Sequence, residues 1–222
     1  GPHLAAMKAN GLTVRMNGGE RHTRPACTED AAEAGVQDLV IFVLKAHQVA
    51  IAAEHVGPLL GPKTPVVAAQ NGIPWWYFHK SGGGGFEDHV LNAVDPDRCA
   101  WRLIGPGRVI GAVINGSCVV VEPGVVEHHQ KTRALMIGEP DGTRSARCLE
   151  IVDAFAATDF EIPITENIRL ELWTKLLSNV GLSMICVLTR STLGEVNNDA
   201  ACFALSKRLM AEMALVSGRL GV

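Results

Sequence analysis

Two unbroken apolar runs open the argument. Residues 38–44 (Asp38-Leu39-Val40-Ile41-Phe42-Val43-Leu44) and 65–70 (Pro65-Val66-Val67-Ala68-Ala69-Gln70) lack polar alternation and are rich in β-branched residues. Such runs read as buried parallel strands, because a parallel sheet is covered on both faces. Lys45 closes the first run and a helix is predicted over 46–60. Asn71-Gly72-Ile73-Pro74 closes the second, before an aromatic helix start at Trp75-Trp76-Tyr77-Phe78. Upstream, the pattern predicts a short helix over 2–10 with Gly11 as its cap, and a strand over 12–16. A turn at Asn17-Gly18-Gly19 follows, then a helix over 28–35 with Thr28 as N-cap. Downstream it predicts paired strands over 108–121 and 124–129 around Glu122-Pro123-Gly124, and a third strand over 134–137. A helix capped by Thr143 then runs to about residue 157, before a last strand over 159–162. Gly82-Gly83-Gly84-Gly85 is too glycine-rich for regular structure and is expected to be mobile.

From Thr165 onward every period is helical. Thr165 is expected to cap a helix through Lys175, residues 191–196 add a turn or two, and 199–220 form a final amphipathic helix. The chain therefore reads as α/β over 1–164 and all-α over 165–222, with no internal repeat.

Within Glu171-Leu172-Trp173-Thr174-Lys175-Leu176-Leu177-Ser178-Asn179-Val180-Gly181-Leu182-Ser183, the polar residues Lys175, Asn179 and Ser183 recur every four positions. At about 100° per residue each step drifts only about 40°, so they form one narrow polar stripe. Leu172, Leu176 and Val180 flank it. A lysine in that setting is either a cationic donor over a cleft or a side chain snorkelling from a core helix to water. In open α/β sheets the ligand crevice lies outside the carboxyl ends of the strands. Lys45 and Asn71 stand at two such ends. Each is a ligand contact, or else a strand-end gatekeeper and an ordinary turn residue.

Composition narrows the classes. Of 222 residues, 47% are apolar and 19% charged, which describes a folded globular chain. The net charge of −3, with no basic run, argues against nucleic acid as the partner. No membrane span and no signal peptide are read from the sequence, and a cytoplasmic location is expected. The six cysteines lack CxxC spacing and read as reduced core thiols. No metal is expected.

Together these residues resemble the ketopantoate reductase (2-dehydropantoate 2-reductase) family. The resemblance rests on Leu44-Lys45, Gln70-Asn71-Gly72, and Leu172-Trp173 with Lys175-Leu176 and Asn179. It extends to Glu122-Pro123-Gly124-Val125-Val126, Gly138-Glu139-Pro140-Asp141-Gly142 and Leu188-Thr189-Arg190-Ser191-Thr192-Leu193-Gly194-Glu195. It implies a Rossmann-like, doubly wound NADPH-binding domain (1–164) and a helical substrate and dimerisation domain (165–222), both partial. The active site would lie between them, and a homodimer is left open. The family reduces the small 2-oxo acid ketopantoate to pantoate, on the way to pantothenate and coenzyme A. By resemblance, Lys175 is the catalytic proton donor and Asn179 binds substrate, with Ser183 where the family usually has a second asparagine. Lys45 and Asn71 contact the nicotinamide half of the cofactor. Hydride addition to a ketone builds charge on oxygen, which a positioned ammonium stabilises and protonates.

Two departures are expected to matter. The family's first strand and Gly-x-Gly-x-x-Gly loop, which hold the pyrophosphate at a helix N-terminus, are not in the sequence, a shortfall of about 30 residues. The family's later helices are missing as well. The 222 residues by themselves are therefore expected to bind NADPH weakly or not at all, not to turn over, and to leave an open sheet edge. The rival readings are a reductase of another branched 2-oxo acid, motivated by Ser183 and Trp75-Trp76, and a non-catalytic remnant of the fold.

Overall fold

The computed structural model describes residues 1–16, 18–82, 85–130 and 133–222. Besides short 3-10 turns, the elements are α1 (Pro2–Asn10), β1 (Leu12–Met16), β2 (Gly19–Thr23), α2 (Ala31–Ala34), β3 (Val40–Phe42), α3 (Val49–His55), β4 (Val66–Ala68), α4 (Cys99–Leu103), β5 (Val109–Asn115), β6 (Cys118–Glu122), β7 (Val125–His128), β8 (Ala134–Gly138) and α5 (Ala146–Phe155). A helical half follows: α6 (Ile168–Ser178), a π-helical turn (Asn179–Ser183), α7 (Met184–Thr189), α8 (Leu193–Asn198) and α9 (Ala200–Arg219). This is the Rossmann-like α/β fold followed by helices.

The main sheet has the order β3-β4-β5-β8. β3, β4 and β5 run parallel, and β8 returns antiparallel to β5. Its strands read as continuous apolar runs because alternate residues feed two separate cores. Val66, Ala68, Val109 and Val113 face α3, α4, Trp76 and α6. Val67, Ala69, Ile110 and Ala112 face Cys148 and Ile151 of α5. Full burial of each valine or isoleucine among them contributes about 1.5–3 kcal/mol, and of each alanine less, so covering both faces is what holds these short strands together. β3 is the outer strand, and its central residue Ile41 and the following Val43 remain exposed.

α6 approaches the main sheet through a window made of two glycines. Gly111 of β5 and Gly138 of β8 are directly paired across the antiparallel ladder. A Cβ at Gly111 would lie 2.5 Å from the Trp76 ring and 2.7 Å from Ile168 Cγ1, and one at Gly138 would lie 2.7 Å from the Thr165 carbonyl oxygen. The paired glycines therefore let Ile168, the first residue of α6, sit directly on the sheet. Arg169 fastens the same end: its guanidinium donates to the carbonyl oxygens of Tyr77 and His79 at 2.8 and 2.7 Å, and also to that of Pro140.

Several expectations change. The 108–121 run is not one strand paired with 124–129. It divides at Gly116-Ser117, sending β5 into the main sheet and β6 into a second sheet of order β2-β1-β7-β6. β2, which the apolar pattern did not reveal because all five of its residues are exposed, completes that sheet. The Trp75–Phe78 segment is a series of turns and not a helix, and it is buried as a unit. The 159–162 strand reduces to isolated bridges at Glu161 and Ile164. Three helix caps move inward by two residues: Asp30, Ser145 and Asn167 accept from backbone N–H groups of their helices, in place of Thr28, Thr143 and Thr165. Thr165 instead accepts from Asn167 N, Thr143 donates to Asp141, and Thr28 bonds Asp30 and the Glu33 carboxylate. Among the cysteines only Cys99 and Cys148 are core thiols; Cys118 is exposed. The turn at Asn17 and the glycines 83–84 fall outside the described residues. Helix Ile168–Thr189 is long and apolar enough to cross a membrane by length and composition, contrary to the sequence reading. Ile168, Leu172, Trp173 and Ile185 of this span are buried within the protein, whereas Leu170, Met184, Val187 and Leu188 are exposed.

Candidate functional site

Because β3, β4 and β5 are parallel, their carboxyl ends share one edge of the sheet. Lys45 follows β3 there, and Gln70-Asn71 follows β4. Lys45 is extended (φ −69°, ψ 144°), and its backbone N–H donates to Gln48 Oε1 at 3.1 Å, which starts the turn into α3. Asn71 precedes Gly72, whose φ of +90° is the left-handed conformation that glycine adopts without cost. Both side chains are exposed.

α6 brings Lys175 to the same edge. Seven residues beyond the glycine window, about 10 Å along the helix, the Lys175 ammonium donates to the carbonyl oxygen of Ile114, the penultimate residue of β5. Lys45, Asn71 and Lys175 thus stand over three adjacent strands. Two inter-strand spacings, about 10 Å, span the group. Lys175 is half-buried, and burial by itself pushes its ammonium below the ordinary lysine value; Lys45 is not a cause. It has no carboxylate partner among the described residues. Asn179 is half-buried one turn on, with its N–H bonded to the carbonyls of Leu176 and Lys175, and Ser183 is exposed one turn further.

Two elements of this edge escaped the sequence. The first is the Ile114 carbonyl, a backbone group that leaves no side-chain signal. The second is the polar lining beneath Asn71. Gln70 is 5% exposed, yet both polar atoms of its amide lack a protein partner, and so does Nε1 of the neighbouring Trp75. The two residues line one pocket with Ala46, Ile73 and Val94. Buried polar groups ordinarily have partners, and this pocket of about 10 Å³ has room for a single water or one polar group reaching in from the edge. A glutamine closing a buried strand was the available signal. Among the described residues no group of three or more His, Cys, Asp or Glu side chains is placed to hold a metal ion.

Comparison with known proteins gives the same picture. The model of "Ketopantoate reductase PanE/ApbA" matches residues 1–77, and that of the family's C-terminal part matches residues 167–222. The chain is 40% identical over 222 residues to a 2-dehydropantoate 2-reductase of Mesorhizobium japonicum, spanning all of this chain and 68% of that protein. It is 26% identical over 217 residues to a 2-dehydropantoate 2-reductase of Halobacterium salinarum, spanning 97% of this chain and 62% of the relative. A solved structure from Ralstonia solanacearum MolK2, provisionally described as a ketopantoate reductase, superposes with a TM-score of 0.93 at 33% identity and covers all of this chain and 68% of that one. The chain thus spans about two thirds of the length of these relatives. On the matched segments, the identity and the superposition, the chain belongs to the ketopantoate reductase PanE/ApbA family of oxidoreductases.

Proposed function

We propose that the protein reduces the ketone of a small 2-oxo acid, ketopantoate to pantoate in the first instance, with NADPH as the reductant and Lys175 as the proton donor. The observation that carries this reading is the position of Lys175: a half-buried ammonium at the carboxyl edge of the parallel sheet, without a carboxylate to neutralise it. A dinucleotide supplies the hydride when bound. Lys45 and Asn71, exposed at the ends of β3 and β4, would hold its nicotinamide half.

The work of the chain's own residues follows from charge. As the ketone oxygen gains electrons, the Lys175 ammonium stabilises the growing negative charge and gives up a proton. Burial favours that transfer, since it disfavours the charged lysine. In the resting protein the Ile114 carbonyl accepts from the same ammonium and fixes its direction. Asn179 and Ser183 extend the polar stripe along the helix and would bind the substrate's oxygens. The shorter arm and exposure of Ser183 favour a second reading, a bulkier branched 2-oxo acid as substrate. On either reading the expected setting is cytoplasmic, with a small-molecule partner and a dehydrogenase division of the chain at 164/165.

The test is NADPH oxidation by the full-length protein with a panel of 2-oxo acids. Turnover of ketopantoate that falls by about 10²-fold or more in Lys175→Ala, with the fold intact, is the expected result. Near-normal turnover in Lys175→Ala would assign the residue to snorkelling.

A further inference from the structure

The helix that carries the polar stripe changes its winding within it. Residues Asn179–Ser183 form a single π turn between α6 and α7. In an α-helix each four-residue step overshoots a full turn by about 40°, so Lys175, Asn179 and Ser183 would wind away from one another. A π turn, with i→i+5 bonds, holds more residues per turn and takes back part of that overshoot. The stripe is therefore straighter than an unbroken α-helix would make it.

Gly181, at the centre of the turn, is buried against Met210 of α9. A Cβ at position 181 would lie 2.5 Å from Met210 Cε, 2.6 Å from its Cγ and 3.2 Å from its sulfur. The methyl end of a methionine can swing aside. Cγ, next to the backbone-bound Cβ, moves only with a new χ1 rotamer or a shift of α9. That shift is opposed one turn on, where Met213 packs against the buried cluster that includes Trp173 of the Lys175 helix. The turn thus reaches α9 closely because residue 181 has no side chain, and Met210 fills the notch.

We infer that Gly181 and Met210 are a positioning pair that sets where Asn179 and Ser183 stand relative to Lys175. Lys175 itself lies before the turn and is held by β5, so its proton transfer does not depend on the pair. The inference rests on the substrate role proposed for the stripe.

In the full-length protein, Gly181→Ala is expected to raise the KM for ketopantoate about tenfold or more while kcat stays within about threefold. Adding Met210→Ala to it is expected to return KM to near the starting value. Met210→Phe overfills the notch from α9 while leaving the sequence of the turn unchanged, and is expected to give the same KM rise should Gly181→Ala not fold. A crystal structure of whichever of these two single variants folds supplies a reading that needs no turnover: residues 179–183 displaced from α9, and Ser183 rotated about the helix axis relative to Lys175. Unchanged KM, an equal fall in kcat without rescue, or an unmoved Ser183 in that structure would overturn the pair. An unsubstituted protein inactive on ketopantoate would overturn the substrate reading alone, because the crystallographic result stands either way.

Discussion

The glycine window beneath α6 is the most direct point at which to test how the fold places Lys175. Gly111→Ala adds a single methyl group facing Trp76 and Ile168, at 2.5 and 2.7 Å. Contact at that range is well inside van der Waals distance, so something must move. Trp76 is 0% exposed and Ile168 is 1% exposed, so neither can swing into solvent. The available relief is to lift the N-terminal end of α6 from the sheet, against the Arg169 bonds to Tyr77 and His79. Overpacking of this kind typically costs about 1–3 kcal/mol. For a chain of this size, each kcal/mol corresponds to a fall in Tm of about 2–4 °C, so a loss of about 4–8 °C is expected for a 2 kcal/mol penalty. Lys175 is carried on the same rigid helix, so activity should fall along with stability. Urea and thermal unfolding of the full-length variant, with NADPH oxidation at a temperature where it remains folded, provide the assay. A variant with unchanged Tm and full turnover would show that the sheet yields freely and that the window does not position α6.

Four further outcomes are expected. The Lys175 ammonium titrates below its usual 10.5 because of burial, so the alkaline limb of the kcat–pH profile should lie below that value and vanish in Lys175→Arg if that variant turns over. The linked stability effect has a definite sign. The folded pKa is below the unfolded one, so the cost of burying the charge is present at neutral pH and disappears as pH rises through the window between the two; pH-dependent unfolding of wild type against Lys175→Met reads it. Ser183→Asn should leave activity with ketopantoate intact or improved, and its loss with the fold unchanged would favour a different 2-oxo acid. Arg147→Met should cost about 3–5 kcal/mol in urea unfolding, because it removes the cation from the Glu139 carboxylate, whose side chain is 4% exposed and which Arg147 engages at 2.6 and 2.5 Å, leaving it only the Ser145 hydroxyl; a loss below 1 kcal/mol would refute a buried ion pair there.

Much of this protein was legible in the order of its residues. Strands 40–42 and 66–68 were marked because a sheet covered on both faces needs apolar residues at every position, and the final helix was marked by its period. Lys45, Asn71 and Lys175 were singled out because polar residues at the ends or in the middle of apolar elements have to be accommodated somewhere. Local chemistry could not say which partner each element would choose. The 108–121 run is broken by Asn115-Gly116-Ser117, where it divides, but which sheet each half joins depends on the surfaces that chain-distant segments offer. β2 carries no apolar pattern because both of its faces meet solvent, and only its pairing with β1 makes it a strand. The aromatic run at 75–78 has the composition of a helix start, but burial of its four rings among distant residues outweighs helix propensity. The meeting of Lys175 with the end of β5 was set by two paired glycines, and the straightness of its stripe by Gly181 against Met210. In a sequence, each of those glycines denotes only the absence of a side chain. The tertiary structure supplies the neighbour that needs the space.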